Sequence, residues 1–402
     1  MIQLFSNPEN CCGCTACLNI CPKNAISMLP DEKGFLYPKI DIKLCVQCGL
    51  CRKVCPFHEK SHMDENLKEP DVYAVKHRSG DVRMRSSSGG MFTAISDYLL
   101  DEGATVYGAA FAENFEVCHQ RAETREERDK FRGSKYVQSN LKNVFQQVKT
   151  DLETSRYVLF SGNPCQTAGL YNFLKNSGTN MKKLYLCDLV CHGTPSPQIF
   201  KEYLDFLKKK YRSEISSMTF RYKPLGWKVQ AVSIWFHNKK QYSSQATQDI
   251  FYRLFSSNII LRDSCCQCPF TNLHRPSDIT IGDFWGVEKS LPDFEDEKGV
   301  SLVLVNTEKG QQLFHAVESG LTYCVSSTES GMQLNLRQAS FASPKTQPFW
   351  KDYQKRGFLY ITKKYAGIGL KSKIKNCIKK VLQTVGLFDV AKKMLKKAGK
   401  TA

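Results

Sequence analysis

CCGCTACLNICP, residues 11–22, and CVQCGLCRKVCP, residues 45–56, are two copies of one pattern, C-x2-C-x2-C-x3-C-P. Three cysteines spaced this way on a short loop turn their thiolates toward three corners of one iron-sulfur cube, while the fourth points away to a second cube. The expected sets are Cys11, Cys14 and Cys17 with Cys55, and Cys45, Cys48 and Cys51 with Cys21. Gly13 and Gly49 permit the tight loop, and Pro22 and Pro56 end each run. Zinc also takes four cysteines, but it uses two C-x2-C pairs per ion and has no use for a three-cysteine loop repeated twice. Two [4Fe-4S] clusters in an N-terminal module follow from the pattern. Cys12 stands outside it and reads as a buried, inert thiol, with a ligand role as the alternative.

The remaining composition frames that module. With 402 residues, 42% hydrophobic and 24% charged, the chain has room for a small module and one large soluble domain. No stretch approaches the roughly 18 apolar residues that cross a bilayer. Residues 1–10 lack the basic start and apolar core of an export signal, so a cytoplasmic location is expected. Reduced thiolates suit that compartment. Of the formal charge of +18, residues 363–402 supply 12 lysines against one aspartate, so basicity belongs to the tail.

Phe57 to Pro70, rich in Lys, Glu, His and Asp, reads as a linker, and a second fold is expected from Asp71. Strands are expected at Val72–Lys76, Tyr157–Ser161, Leu184–Leu189, Val229–Phe236, Ile279–Gly282 and Ser301–Val305. Helices are expected at Gly90–Leu100, Leu141–Leu152, Gln166–Leu174 and Pro197–Lys209. Some strands are separated by helices and others by short turns, which argues for an α+β body rather than a doubly wound one. The expected organisation is a cluster module over 1–56, a linker over 57–70, a mixed domain over 71–345 and a basic tail over 346–402.

In the mixed domain several cysteines lie at strand ends or in loops. They occur in SGNPCQ (161–166), CHGTPS (191–196) and CCQCP (265–269). Loops on a rigid sheet can bring distant thiolates together, so a third cluster held by Cys165, Cys191, Cys265 and Cys268 is expected. Cys265 is preferred to Cys266 because it forms Cys265-x2-Cys268; Cys187 is a further rival if its strand runs on to Cys191.

Residues 72–286 also resemble the coenzyme F420 hydrogenase/dehydrogenase beta-subunit family. The resemblance rests on SSSGG (86–90), GSKYVQ (133–138), NPCQ (163–166), CHGTP (191–195) and DITIGDFWG (278–286), which come in the family's order. With the ferredoxin-like module it covers roughly residues 10–290. It implies FAD beside a [4Fe-4S] cluster, with Ser87, Ser88, Gly89, Gly90, Lys135, Tyr136, Asn163, Gln166, Gly193 and Asp283 as cofactor-binding residues. His192 is the candidate proton donor, a structural histidine being the alternative. The residues agree in part, because Ser86–Gly90 precedes an amphipathic helix whose N-terminal N–H groups suit a pyrophosphate; an ordinary serine cap is the other reading. Lys135 could face the phosphates or solvent, and Trp285 is expected to fill core.

Residues 371–397 space Ile374, Ile378, Val381, Leu382 and Val385 like one or two amphipathic helices among lysines. Such a tail suits an anionic membrane surface or an acidic partner, while packing on the body or solvation is the alternative. Nucleic acid is not expected, because the lysines are not interleaved with aromatic residues or arginines. The resulting expectation is an oxidoreductase relaying electrons between an external carrier such as a ferredoxin, the clusters and FAD. The second possibility is a non-catalytic electron-transfer subunit.

Overall fold

The computed structural model describes residues 3–58 and 66–367. Its strands in chain order are β1 Ile26–Pro30, β2 Leu36–Ile40, β3 Asn66–His77, β4 Thr105–Phe111, β5 Val117–Ala122, β6 Val158–Gly162 and β7 Leu184–Leu189. They continue with β8 Ile215–Thr219, β9 Ala231–Phe236, β10 Gln241–Gln245, β11 Ile279–Asp283, β12 Ser301–Thr307 and β13 Leu321–Ser326. Eight of them form one sheet in the order β13-β3-β12-β11-β7-β6-β4-β5. The neighbours β4, β6, β7 and β11 run parallel, and antiparallel strands flank them on both sides. The body is therefore α+β, with a mixed sheet at its centre.

Apolar patterning explains the middle of this sheet. All seven residues of β12 are buried, as a strand covered on both faces requires. The helix Met91–Asp101 puts Met91, Ile95 and Leu99 against Val106, Leu159 and Val303 in one core. The helix Val144–Glu153 turns Val144, Phe145, Val148 and Leu152 inward at helical spacing. Each fully buried phenylalanine of this kind contributes about 1.5–3 kcal/mol.

The cysteine-rich module does not have a core to itself. Cys12, Cys14, Ala16 and Val54 share a cluster with Leu141, Val144, Phe145, Leu170 and Phe173 of the mixed domain. Side chains stitch the same seam. Asn19 Nδ2 donates to Lys142 O at 3.2 Å, Gln146 Nε2 to Asn19 O at 2.5 Å, and Lys33 pairs with Asp263 at 2.9 Å.

The described residues within 1–246 and 260–342 make one compact unit, and those within 247–259 and 343–367 make another. The second holds the helices Ile250–Ser256 and Thr346–Tyr365, the latter kinked at Gly357, where φ is +72°. β3 begins at Asn66, inside the segment read as a linker, because Asn66 pairs with Thr307 and bonds Arg275 O at 2.9 Å. The amphipathic pattern over 371–397 lies outside the described residues. Among the described residues no helix is long and apolar enough to cross a membrane.

Candidate metal centre

Two left-handed glycines shape the N-terminal loops: Gly13 at φ +70° and Gly49 at φ +78°. At Gly13 there is no room for a side chain either, since a Cβ would lie 2.7 Å from Gln138 Nε2 and 3.0 Å from Leu36 O. The short helix Leu50–Lys53 begins directly after Gly49, and Ala16–Ile20 begins after Thr15, itself left-handed at φ +64°; they carry Cys51 and Cys17. The thiols face one another in two groups. Cys11, Cys14, Cys17 and Cys55 line a cavity enclosing about 380 Å3, open mouth included. Cys21, Cys45, Cys48 and Cys51 line another of about 350 Å3, and Cys51 borders both.

A third group arises from the sheet. Parallel strands end on the same side, so residues just past β6 and β7 become neighbours although distant in sequence. Asn163 and Pro164 start the helix Pro164–Asn176, which presents Cys165; Cys191 follows β7 by two residues. The short helix Asp263–Gln267 brings Cys265, with Cys268 at its end. The four thiols interact with one another: Cys165 with Cys191 and Cys268, and Cys191 with Cys265 and Cys268. The buried ion pair of Arg275 with Asp188, at 2.9 Å, holds the segment after Cys268, since Arg275 also donates to Phe270 O at 2.5 Å and Leu189 O at 3.1 Å.

Of the rivals, Cys187 is buried in the sheet core beside Ile279, whereas Cys266 lies next to Cys265, with Asp263 and Glu9 also near it. Burial pushes thiols in these groups up, Cys55 and Cys268 to about 12. Without a cation they would stay protonated, so the donor set fits an iron-bearing group that supplies the missing positive charge. A single zinc gathers its sulfurs within about 2.3 Å of one point. Among the described residues no three His, Cys, Asp or Glu side chains converge to hold a single ion.

Cys12 is buried, as expected, and its thiol lies beside Cys14 on one side and Cys165 on the other, between the first group and the third. Adjacent cysteines on an extended turn point opposite ways, and that was the available signal. Gly169 lets the groups approach, because a Cβ there would sit 2.8 Å from Cys14 Sγ. Sequence reasoning also missed Arg262, which is 1% exposed. Its guanidinium donates to Cys11 O at 2.8 Å, Gln138 Oε1 at 2.8 Å and Leu36 O at 3.0 Å, and reaches Cys11 Sγ at 3.7 Å. It lies over the Tyr37 ring at 4.1 Å. Its only sequence cue is a position three residues before the Cys265-x2-Cys268 pair.

The residues singled out for FAD fall into two places. Ser87 Oγ accepts the Ser134 N–H at 2.8 Å, joining the 86–90 and 133–138 loops. Ser88 Oγ and the Gly89 N–H both bond Ser301 Oγ at 2.9 Å, and Lys223 Nζ donates to Ser88 O at 2.7 Å. The helix cap is Gly90, at φ +97°, rather than a serine. Arg221 links Tyr136 to Asp283, at 3.3 Å and 2.5 Å. Lys135 is half-buried, donates to Lys130 O and Arg132 O, and is held below the usual lysine range by desolvation. Trp285 does not fill core; it is 36% exposed and stacks on buried Trp227 at 4.9 Å, because β11 ends two residues earlier. A Cβ on Gly133 or Gly286 would meet nothing within 4 Å, so open space adjoins these loops. The hydroxyls of Ser87 and Ser88 and the cations Lys135, Arg221 and Lys223 are bonded within the protein beside this space.

Asn163, Gln166, Gly193 and His192 lie instead with the third thiol group. Gln166 Oε1 accepts the Asn163 N–H at 2.9 Å and so caps the helix that bears Cys165. Gly193, at φ +140°, packs against Leu261 and the Cβ of Cys265, and His192 O accepts from Ser340 Oγ.

Family models match three stretches of the chain. Residues 10–58 fit a 4Fe-4S dicluster domain, 72–146 the N-terminal part of the coenzyme F420 hydrogenase/dehydrogenase beta subunit, and 155–330 its C-terminal part. Fold, thiol groups and these matches define an iron-sulfur protein of the oxidoreductase electron-transfer class. The chain belongs to the coenzyme F420 hydrogenase/dehydrogenase beta-subunit family and carries a 4Fe-4S dicluster domain at its N-terminus. An uncharacterized ferredoxin of Methanocaldococcus jannaschii is 33% identical over 55 residues, 14% of this chain and 70% of that protein. An uncharacterized polyferredoxin-like protein of the same organism is 39% identical over 56 residues, 12% of this chain and 33% of that protein. A chain of the xenon-derivatized F420-reducing [NiFe] hydrogenase complex from Methanosarcina barkeri has a TM-score of 0.46 at 16% identity, over 75% of this chain and 91% of that one.

Proposed function

We propose that this chain is a cytoplasmic iron-sulfur flavoprotein oxidoreductase that relays electrons between an external one-electron carrier such as a ferredoxin, three [4Fe-4S] clusters and FAD. Its substrate is a two-electron donor or acceptor. The observation that carries this reading is the convergence of Cys165, Cys191, Cys265 and Cys268 against the first N-terminal thiol group, with Cys12 between them. Bound clusters supply single-electron transfer, and FAD supplies the conversion between one-electron and two-electron chemistry.

The chain's own residues bind, orient and shield. Twelve thiolates hold the clusters: Cys11, Cys14, Cys17 with Cys55; Cys45, Cys48, Cys51 with Cys21; and the four of the third group. Ser87, Ser88, Gly89, Gly90, Lys135, Tyr136 and Asp283 bind FAD, while Asn163, Gln166 and Gly193 set the loops that face it. His192, next to Cys191, holds a proton for the substrate. Arg262 keeps a positive charge and a dry seam between the first and third groups.

Iron and flavin content per chain after anaerobic purification test this reading, with about twelve irons and about one FAD expected. About eight irons and no flavin would leave only the N-terminal module with its chemistry. The family is described as a beta subunit, which favours a second reading as a non-catalytic electron-transfer subunit. Turnover of flavin-accessible acceptors by the isolated chain supports the enzyme; turnover only with a partner supports the subunit.

A further inference from the structure

The loop from Asp41 to Gly49 combines features that a buried-core protein normally keeps apart. Ile42, Leu44 and Val46 are 62%, 51% and 57% exposed. The same loop carries Cys45 and Cys48, and Cys48 is exposed. Val46 and Lys23 line the mouth of the second thiol cavity. The loop is tied down, since Asp41 N donates to Ala25 O at 2.7 Å, Cys45 N to Asp41 O at 3.0 Å and Lys43 N to Asp41 Oδ1 at 2.9 Å. Its apolar side chains are thus held outward by a fixed backbone.

Positive charge flanks this apolar loop: Lys23, Lys39, Arg52 and Lys53 are exposed on the adjoining segments and Lys43 within the loop. Asp41, the acid within the loop, spends its carboxylate on the loop's own amide. An apolar patch rimmed by one sign of charge marks an interaction surface, and redox encounters sit at the small end of interface sizes, below about 1,200 Å2. A second copy of a chain with formal charge +18, or its own lysine-rich segment 371–397, brings the wrong sign.

We infer that the loop 41–49, with its ring of Lys23, Lys39, Lys43, Arg52 and Lys53, is the docking face for an acidic one-electron carrier protein. This rests on the proposed cluster held by Cys21, Cys45, Cys48 and Cys51. One electron crosses at the face: the carrier is oxidised by one electron, the cluster behind Cys48 is reduced by one, and no bond forms or breaks.

The test uses the anaerobically purified full chain, with a reduced acidic 2[4Fe-4S] ferredoxin as carrier and the methyl viologen radical cation as a small control reductant. Cluster bleaching is followed by stopped flow. The second-order rate with ferredoxin is expected to fall as salt rises, and to fall about tenfold in Lys39→Glu/Lys43→Glu at low salt, while the viologen rate stays within about twofold. Ile42→Ser/Leu44→Ser is expected to slow ferredoxin alone, with iron content unchanged in both variants. A ferredoxin rate indifferent to salt and to both double variants, in protein with full iron, overturns the docking face and leaves the relay standing. A dimer that Ile42→Ser/Leu44→Ser dissociates would also overturn it, in favour of self-association. A chain that binds no iron at the outer thiol group removes both readings.

Discussion

Arg262→Gln should lower the reduction potential of one cluster without removing iron. The guanidinium is buried, and the groups that interact with it most strongly are Cys11, Tyr37, Cys12 and Cys265. Two unit charges near 4 Å interact by about 4 kcal/mol at an effective dielectric of 20. The Nη2 to Cys11 Sγ distance is 3.7 Å. If a quarter to a half of an added electron's charge reaches that sulfur, the arginine favours reduction by about 1–2 kcal/mol. For a one-electron couple this is roughly 40–85 mV. Potentiometric titration followed by electron paramagnetic resonance, with iron determined on the same sample, measures it. Arg262→Lys keeps the charge and should recover most of the shift, although a lysine cannot reproduce the forked bonds to Cys11 O, Gln138 and Leu36 O. Iron-replete Arg262→Gln protein whose midpoints all lie within about 20 mV of the parent would refute this electrostatic account.

Cys268→Ala should take iron from about twelve to about eight atoms per chain, while Cys266→Ala should leave it unchanged. Retention of full iron in Cys268→Ala would remove that ligand assignment. Gly169→Ala gains up to about 1 kcal/mol of helix propensity but drives a Cβ to 2.8 Å from Cys14 Sγ, so a net loss of about 1–2 kcal/mol should appear as a lower thermal midpoint and faster iron loss to a chelator. His119 is buried between Ser139 Oγ at 2.6 Å and Ser161 O at 3.0 Å, and burial pulls it down to about 4. Its folded value lies below the ordinary 6.5, so its contribution is complete above pH 6.5 and is lost as pH falls toward 4. By pH 5 the loss is about 2 kcal/mol, and urea midpoints at pH 7 and pH 5 should differ less in His119→Asn than in the parent.

Much of the architecture was readable because its signals are local. The repeated cysteine run, the helix beginning at Met91 and the apolar strands β6, β7, β11 and β12 each declare themselves within a few residues. Strands β1, β2, β8 and β10, and β4, β5 and β13 of the large sheet, were not anticipated. β4 carries Gly108, Ala109 and Ala110, while β13 is an edge strand with several exposed positions, and neither shows a clean two-residue alternation. The third thiol group was readable as a list of loop cysteines. Its selection among Cys187, Cys265 and Cys266 depends on which strand ends lie side by side, and that is a property of sheet order. Arg262 was missed, and the place of Cys12 between two groups was not foreseen, for a related reason: each lies at the seam between two segments, and no spacing rule within one segment encodes a partner in another.

That seam also limits how the protein can be rearranged by inheritance or by engineering. A ferredoxin linked like a bead could be exchanged for any other ferredoxin of similar potential. Here a transplanted module would leave the Lys142 carbonyl and Asp263 facing it without the side chains of Asn19 and Lys33, and would have to present a small apolar surface to Phe145 and Phe173. The first 58 residues and the helices they rest on therefore form one heritable part, and substitutions on either side should travel in pairs.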